Sequence, residues 1–216
     1  MKKPKNTINH YMQKYTEIVS IFPTPVYVTN LGRELSKEEL SLINQAERET
    51  IEPGNNTISL DTYVLNKKQF ASLKEELNLI IQDYFDKIIS PANNISPYIT
   101  QSWFSYLEKN QYFHKHHHAN SLVSGVFYVS CNPEFDKIKF YRDGYVAIKP
   151  EVKDYNLWNS ESWQLPINTG TIILFPSSLT HMVESKKGDG NRISLAFNIF
   201  IKGKIGNERR ITSLNL

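Results

Sequence analysis

Phe113-His114-Lys115-His116-His117-His118-Ala119-Asn120-Ser121-Leu122-Val123-Ser124-Gly125-Val126-Phe127-Tyr128 is the stretch on which the fold turns. It joins a histidine-rich run to an apolar, β-branched and aromatic run. On an extended backbone residues two apart leave the same face, so His114, His116 and His118 share one side and His117 points to the other. The apolar half, Ser121 to Ser130, reads as a strand that anchors one end of the run in a core. Around it Ile99 to Leu107, Lys137 to Phe140, Gly144 to Ile148, Thr171 to Phe175 and Ile193 to Ile201 have the same texture and are separated by turn signals. Strands at this spacing with no helix between them predict a sandwich or barrel.

Upstream the texture is helical. Ser36-Lys37-Glu38-Glu39 is a capping box, with Leu35 and Leu40 placed as a hydrophobic staple and Leu40, Ile43 and Ala46 forming a stripe. A longer helix follows Asn66, with Phe70, Leu73, Leu77, Ile80 or Ile81, Tyr84 and Ile88 at helical spacing, until Ser90-Pro91 stops it. Ile21 to Thr29 is an edge strand at best because Pro23 and Pro25 interrupt it. Gly54-Asn55-Asn56 reads as a turn and Thr62 to Leu65 as a short strand. Helices first and strands afterwards make the chain α+β, mainly β. Residues 1–18 read as a loose basic leader. Residues 19–216 read as one domain, with helical support over about 36–90 and a β core over about 98–201. The polar segment 141–169, with Trp158 and Trp163 embedded, reads as a lid or substrate loop, and Tyr141 and Tyr145 as further candidates for its entry.

Composition bounds the function. A chain of 216 residues with 40% hydrophobic and 22% charged residues is an ordinary globular composition, long enough for one well-buried core. The single cysteine, Cys131, excludes an internal disulfide and a cysteine-based zinc or iron–sulfur framework, and fits a cytoplasmic location. No apolar run reaches transmembrane length. A net charge of +3 does not call for nucleic acid, and the basic ends (Lys2, Lys3, Lys5; Lys202, Lys204, Arg209, Arg210) carry no recognition motif. A chain of this size is compatible with a homodimer.

The histidines carry the chemistry. His181 follows the apolar Leu174-Phe175-Pro176, so it joins His116 and His118 as a third imidazole at the mouth of a β core. Imidazole suits iron, zinc, copper and nickel alike, so ligand type does not choose the metal, and a histidine run can also be a surface cluster. Arg192 and Ser194 sit two apart on a strand, a natural clamp for a carboxylate through a bidentate pair and one more hydrogen bond. The face carrying Arg192, Ser194, Ala196 and Asn198 is small and polar, as a cavity lining is; Ile193, Leu195, Phe197 and Ile199 form the packing face.

Taken together, Tyr106-x9-His116-x-His118, Ser124-Gly125-Val126-Phe127-Tyr128, Gly170-x4-Phe175-Pro176-x4-His181 and Arg192-x-Ser194-x2-Phe197-Asn198 resemble the iron(II)/2-oxoglutarate-dependent oxygenases. Within them the pattern resembles a small, largely uncharacterised group from phages and marine bacteria. The similarity reaches upstream to Ser59-Leu60-Asp61-Thr62-Tyr63-Val64-Leu65-Asn66 and spans about Ile21 to Ile201. The resemblance implies a double-stranded β-helix (jelly roll) with helices outside its major sheet. It implies iron(II) held by His116, His118 and His181, and 2-oxoglutarate as cosubstrate, with Arg192 and Ser194 on its distal carboxylate and Tyr106 aimed at the same molecule. The activity it implies is a dioxygenase that consumes O2 and 2-oxoglutarate, releases succinate and CO2, and hydroxylates a C–H bond of a protein side chain or small metabolite.

Two departures from the general pattern stand out. The middle ligand is usually a carboxylate, and here it is His118, so three neutral donors leave the metal one charge more positive and favour the anionic cosubstrate. Ala119 stands where Pro is common. A cupin-type three-histidine metalloprotein (a dioxygenase or isomerase) is the alternative, although Asn120 to Ser124 lacks the carboxylate that cupins carry there. A non-catalytic metal-binding module is the third reading.

Overall fold

In the computed structural model, residues 17–142, 144, 148 and 150–216 are described. Twelve strands are present among them: β1 (Tyr27–Asn30), β2 (Arg48–Ile51), β3 (Asn56–Ser59), β4 (Ile95–Leu107), β5 (Phe113–His116), β6 (Val123–Ser130), β7 (Lys137–Tyr141), β8 (Ser162–Pro166), β9 (Thr171–Pro176), β10 (His181–Val183), β11 (Arg192–Ile205) and β12 (Leu214–Asn215). The larger sheet runs β1-β9-β6-β11-β4-β3-β2, with β12 on the far end of β11, and the smaller runs β5-β10-β7-β8. All pairings within both sheets are antiparallel and neither sheet closes. From β4 to β11 the chain alternates between the two sheets, except that β7 and β8 form a hairpin within the smaller one, which is the double-stranded β-helix expected from the sequence.

Period-two alternation splits the larger sheet into two faces. Leu195, Phe197, Ile199 and Ile201 of β11 and Phe104 and Tyr106 of β4 form a core with the helical layer, through Ile43, Leu73, Leu77, Ile81, Tyr84 and Phe85. On the other face Tyr128, Ile173 and Phe175 meet Ile138 and Phe140 of the smaller sheet and Leu179, making a second, smaller core between the sheets. Gly125 lies on the helix-facing side because the Phe197 ring occupies the space a Cβ there would need, at 2.1 Å.

Helix α1 (Lys37–Gln45) starts at Ser36 with both halves of the capping box made: Ser36 Oγ accepts from the Glu39 amide and the Glu39 carboxylate accepts from the Ser36 amide. The expected apolar stripe is altered. Leu40 turns to solvent, while Glu39 is buried and held by Arg33, which also grips Glu76 of α2 (Ala71–Tyr84). A guanidinium on its carboxylate lets Glu39 take a position that an apolar residue was expected to fill. Helix α2 continues as a π turn, Phe85–Ile89, to a left-handed Ser90.

The expected strand Thr62 to Leu65 is a turn instead. Asp61 Oδ1 accepts from the Tyr63 amide, and a 3-10 turn over Val64–Asn66 follows, burying Val64 and Leu65. The side chain of Asp61 competes with a strand ladder for that amide. The Gly54-Asn55-Asn56 turn closes a hairpin of β2 and β3. Residues 145–147 of the anticipated strand Gly144 to Ile148, among them the Tyr145 entry position, and most of the leader lie outside the described residues. No helix among the described residues is long and apolar enough to cross a membrane.

Candidate metal centre

His116 ends β5 and His181 begins β10, and the two are directly opposed in the smaller sheet. His118 lies two residues beyond β5, in the loop that climbs to β6. Ser177 fixes that loop: its carbonyl accepts from the His118 amide, its amide donates to Leu122, and its buried hydroxyl bonds those of Ser121 and Ser124. Asn120 adopts a left-handed φ of 55°, which lets the chain turn there. The loop therefore sets His118 against the middle of β11, where Asn198 lies on the inner face.

The three imidazoles converge. Their ligand atoms all lie within 4.8 Å of one another. Ring centroids are 4.3 Å apart for His116 and His181 and 5.2 Å for each of the other two pairs. His116 Nδ1 meets the His114 carbonyl at 2.7 Å, His181 Nδ1 the Leu179 carbonyl at 3.0 Å, and His118 Nδ1 the Asn198 amide oxygen at 2.6 Å. A carbonyl oxygen can only accept, so each Nδ1 carries the proton and each Nε2 keeps its lone pair for the centre. Burial pushes His181 down to about 3 and His116 down to about 4, and lowers His118 as well. All three are thus neutral at neutral pH, the state in which imidazole binds a metal. The donor set fits one first-row divalent ion bound by three nitrogens. The His114 ring lies 5.2 Å from that of His116, tilted by 46°, but belongs to no such cluster, and Trp103 lies 5.9 Å from the His118 ring.

Arg192 and Ser194 occupy the same inner face of β11, and both are buried. Arg192 Nη1 donates to the Lys137 carbonyl at 3.1 Å, and the guanidinium lies 5.0 Å from the centre of the Tyr128 ring. Tyr128 is directly opposite Ser194 across β6 and β11. Its buried hydroxyl makes no hydrogen bond of good geometry, and burial, opposed by the Arg192 guanidinium beside it, pushes its pKa up to about 12, so it remains a donor. Close by, the buried Lys186 ammonium faces the buried Asp136 carboxylate at 3.7 Å, and both line a cavity of about 230 Å³ with Arg192. Four cations (Lys137, Lys186, Lys187 and Arg192) line it against three carboxylates (Glu134, Asp136 and Glu184), which leaves a net charge of +1 and favours an anion.

Tyr106 does not belong to this group, and the expectation for it is corrected. It is opposite Ile193, on the helix-facing side of β4 and β11. Its hydroxyl donates to the Ile43 carbonyl at 2.5 Å and the Arg48 guanidinium covers its ring at 3.6 Å. Tyr128 stands where Tyr106 was expected. The sequence signal for it was the alternation Ser124, Val126, Tyr128, which shares parity with the polar face once β6 is paired with β11.

Comparison with known proteins agrees with this geometry. The profile of a family described as "Putative 2OG-Fe(II) oxygenase" matches residues 101–198, the segment that holds all three histidines, Tyr128, Arg192 and Asn198. No curated protein sequence matches the chain significantly. Among solved structures, HygX from Streptomyces hygroscopicus with nickel and 2-oxoglutarate bound superposes with a TM-score of 0.58 at 13% identity, covering 82% of each chain. An oxidoreductase of the 2OG-Fe(II) oxygenase family from Burkholderia pseudomallei gives 0.56 at 13% identity, covering 81% of this chain and 84% of its own. A prolyl-4-hydroxylase from Pseudomonas putida gives 0.53 at 11% identity, covering 81% and 92%. The resemblance read from the sequence and the β-helix fold are borne out, and the matched family is the one for which iron(II) and 2-oxoglutarate were expected.

Proposed function

We propose, from the premise that this chain has the fold and the matched segment of the 2OG-Fe(II) oxygenases, that it is an iron(II)- and 2-oxoglutarate-dependent dioxygenase hydroxylating a C–H bond of a protein side chain or small metabolite. The observation that carries this reading is the pairing of two buried sites in one β-helix. Three imidazoles present free Nε2 atoms at one level, and Arg192 with the unpartnered Tyr128 hydroxyl lies further along the same inner face. A keto-acid with a second carboxylate has two ends to meet these two groups.

His116, His118 and His181 would hold iron(II), which when bound supplies oxygen activation coupled to decarboxylation of the keto-acid. The protein's share is binding, orientation and dryness. Arg192 grips the distal carboxylate, Tyr128 donates its hydroxyl to the same group, and Ser194 adds a further hydrogen bond from the opposite strand. Asn198 fixes the tautomer and ring plane of His118, as carbonyl partners commonly do for metal-bound histidine. Phe140 and Phe175, whose rings lie 6.3 Å and 4.8 Å from that of His181, keep the centre apolar on one side.

The test is anaerobic titration of the iron(II)-loaded protein with 2-oxoglutarate, followed by the weak visible metal-to-ligand charge-transfer band. The band should form, and Arg192→Lys should weaken the affinity, because a point charge does not replace the guanidinium fork. Iron binding without a band would favour the cupin-type reading, and no iron binding would remove the enzyme reading altogether.

A further inference from the structure

Four ring-bearing residues stand in register across the smaller sheet. His116 is opposite His181, His181 is opposite Phe140, and Phe140 is opposite Trp163 on the edge strand β8. Directly opposed residues of an antiparallel sheet project to the same face, so this row runs along the inner surface from the histidine cluster to the open edge. With neighbouring strands about 4.8 Å apart, Trp163 stands about 10 Å from His181. It is not covered at its end of the row: Trp163 is 42% exposed.

The row ends in a groove of about 700 Å³ at the seam between β8 and β1. Phe140, Leu165 and Leu179 line its inner side, and Val26 and Val28 its other wall. Leu179 is also the residue whose carbonyl orients His181, so the groove begins one side chain from the metal ligands. Trp158 and Phe22 stand at the rim, 48% and 95% exposed, and Phe22 is held at a left-handed φ of 56°. Three large aromatic side chains left open around one concavity are an unusual surface for a soluble chain. The volume is that of a small-molecule site. Of the described lining residues only Arg142 and Glu161 are charged, and their charges cancel.

We infer that this groove is a substrate subsite of the reaction proposed above, and that the substrate presents to it an uncharged planar ring, stacked on Trp163 with Trp158 at the rim. Aromatic faces take flat apolar rings face-on, and a wall without net charge gives a charged molecule nothing to offset its desolvation. The inference rests on the oxygenase reading for its purpose, but the binding site itself does not require metal.

The experiment therefore uses the full-length, metal-free protein labelled with 15N, and reads the indole N–H signals of its three tryptophans, assigned with Trp103→Phe, Trp158→Phe and Trp163→Phe. The probes at pH 7 are 2-naphthol, an uncharged bicyclic ring; 1-hexanol, a flexible chain of similar polarity; and 2-naphthoate, the same ring with a charge. 2-Naphthol should shift the Trp163 and Trp158 signals and bind at least tenfold more tightly than either other probe. Trp163→Ala should weaken it at least tenfold, and Val28→Lys, which places a charge on the opposite wall and keeps both tryptophans, should do the same. Equal binding of 1-hexanol, tighter binding of 2-naphthoate, or unmoved indole signals would overturn the inference. A failed iron and 2-oxoglutarate titration beside successful ring binding would instead strike only the oxygenase reading.

Discussion

Replacing Tyr128 with Phe has two consequences of opposite sign, and both follow from one oxygen atom. The hydroxyl is buried and makes no hydrogen bond within the fold. An unsatisfied buried polar group costs about 1–3 kcal/mol. Tyr128→Phe keeps the ring and its contact with Arg192 and deletes only that cost, so the metal-free, cosubstrate-free protein should become more stable by roughly 2 kcal/mol. For a chain of this size that raises Tm by about 4–8 °C. The same hydroxyl, placed to donate to a carboxylate, contributes about 1.5–3 kcal/mol to binding as a charge-assisted hydrogen bond. The variant should therefore bind 2-oxoglutarate roughly ten- to a hundredfold more weakly. Scanning calorimetry of the metal-free variant and titration of its iron(II) form measure the two effects separately. A variant that melts lower than the parent would show that the hydroxyl is satisfied within the fold. Unchanged 2-oxoglutarate affinity would show that the anion does not reach it.

Three further outcomes are expected. Asn198→Leu removes the acceptor that fixes His118 while leaving all three imidazoles in place, and metal affinity measured by competition with a chelator dye should drop about 10- to 100-fold. Lys186→Met leaves the buried Asp136 carboxylate with the Asn132 amide and the nearby Arg192, and should cost about 1.5–3 kcal/mol in urea unfolding; adding Asp136→Asn should recover most of it, and a double variant no better than the single would refute the pairing. Glu39 titrates below its ordinary value: burial acts to raise its pKa, but the Arg33 guanidinium and the Ser36 hydrogen bonds outweigh it. Its contribution is present above the unfolded carboxylate pKa and is lost as pH falls through the lower folded value. Glu39→Gln should thus cost roughly 2 kcal/mol at pH 7 and progressively less below about pH 4. Equal cost at pH 7 and pH 3, read by chemical unfolding, would contradict that.

The β architecture was legible because alternation, unlike helix content, survives in single strands. Leu195, Phe197 and Ile199 against Ser194, Ala196 and Asn198 already separated a packing face from a cavity face. The histidine trio was legible because H-x-H leads into an apolar run and His181 follows another. What spacing could not fix was parity between strands. Tyr106 and Tyr128 are both aromatic, both in strands and both near the ligands in sequence. Only the pairing of β4, β6 and β11 shows that the first faces the helices and the second the cavity. Strands β5, β8 and β10 escaped notice for a different reason: Phe113–His116, Ser162–Pro166 and His181–Val183 are short and half polar. Their order comes from neighbours rather than from local propensity. His118 also falls beyond the end of β5, so its convergence depends on the loop held by Ser177 and not on strand periodicity alone.

Ser177 touches no ligand atom, yet the turn to His181 starts beside it and the His118 backbone hangs from it. Two ligands that lie far apart along the chain therefore share one mechanical anchor, and the centre cannot loosen at one without disturbing the other. In the language of amide exchange, the His118 and Leu122–Val123 region and the Leu179–His181 turn should open as a single unit with one free energy. Ser177→Ala should lower that energy for both segments together, while leaving the protection of the helix-facing strands unchanged.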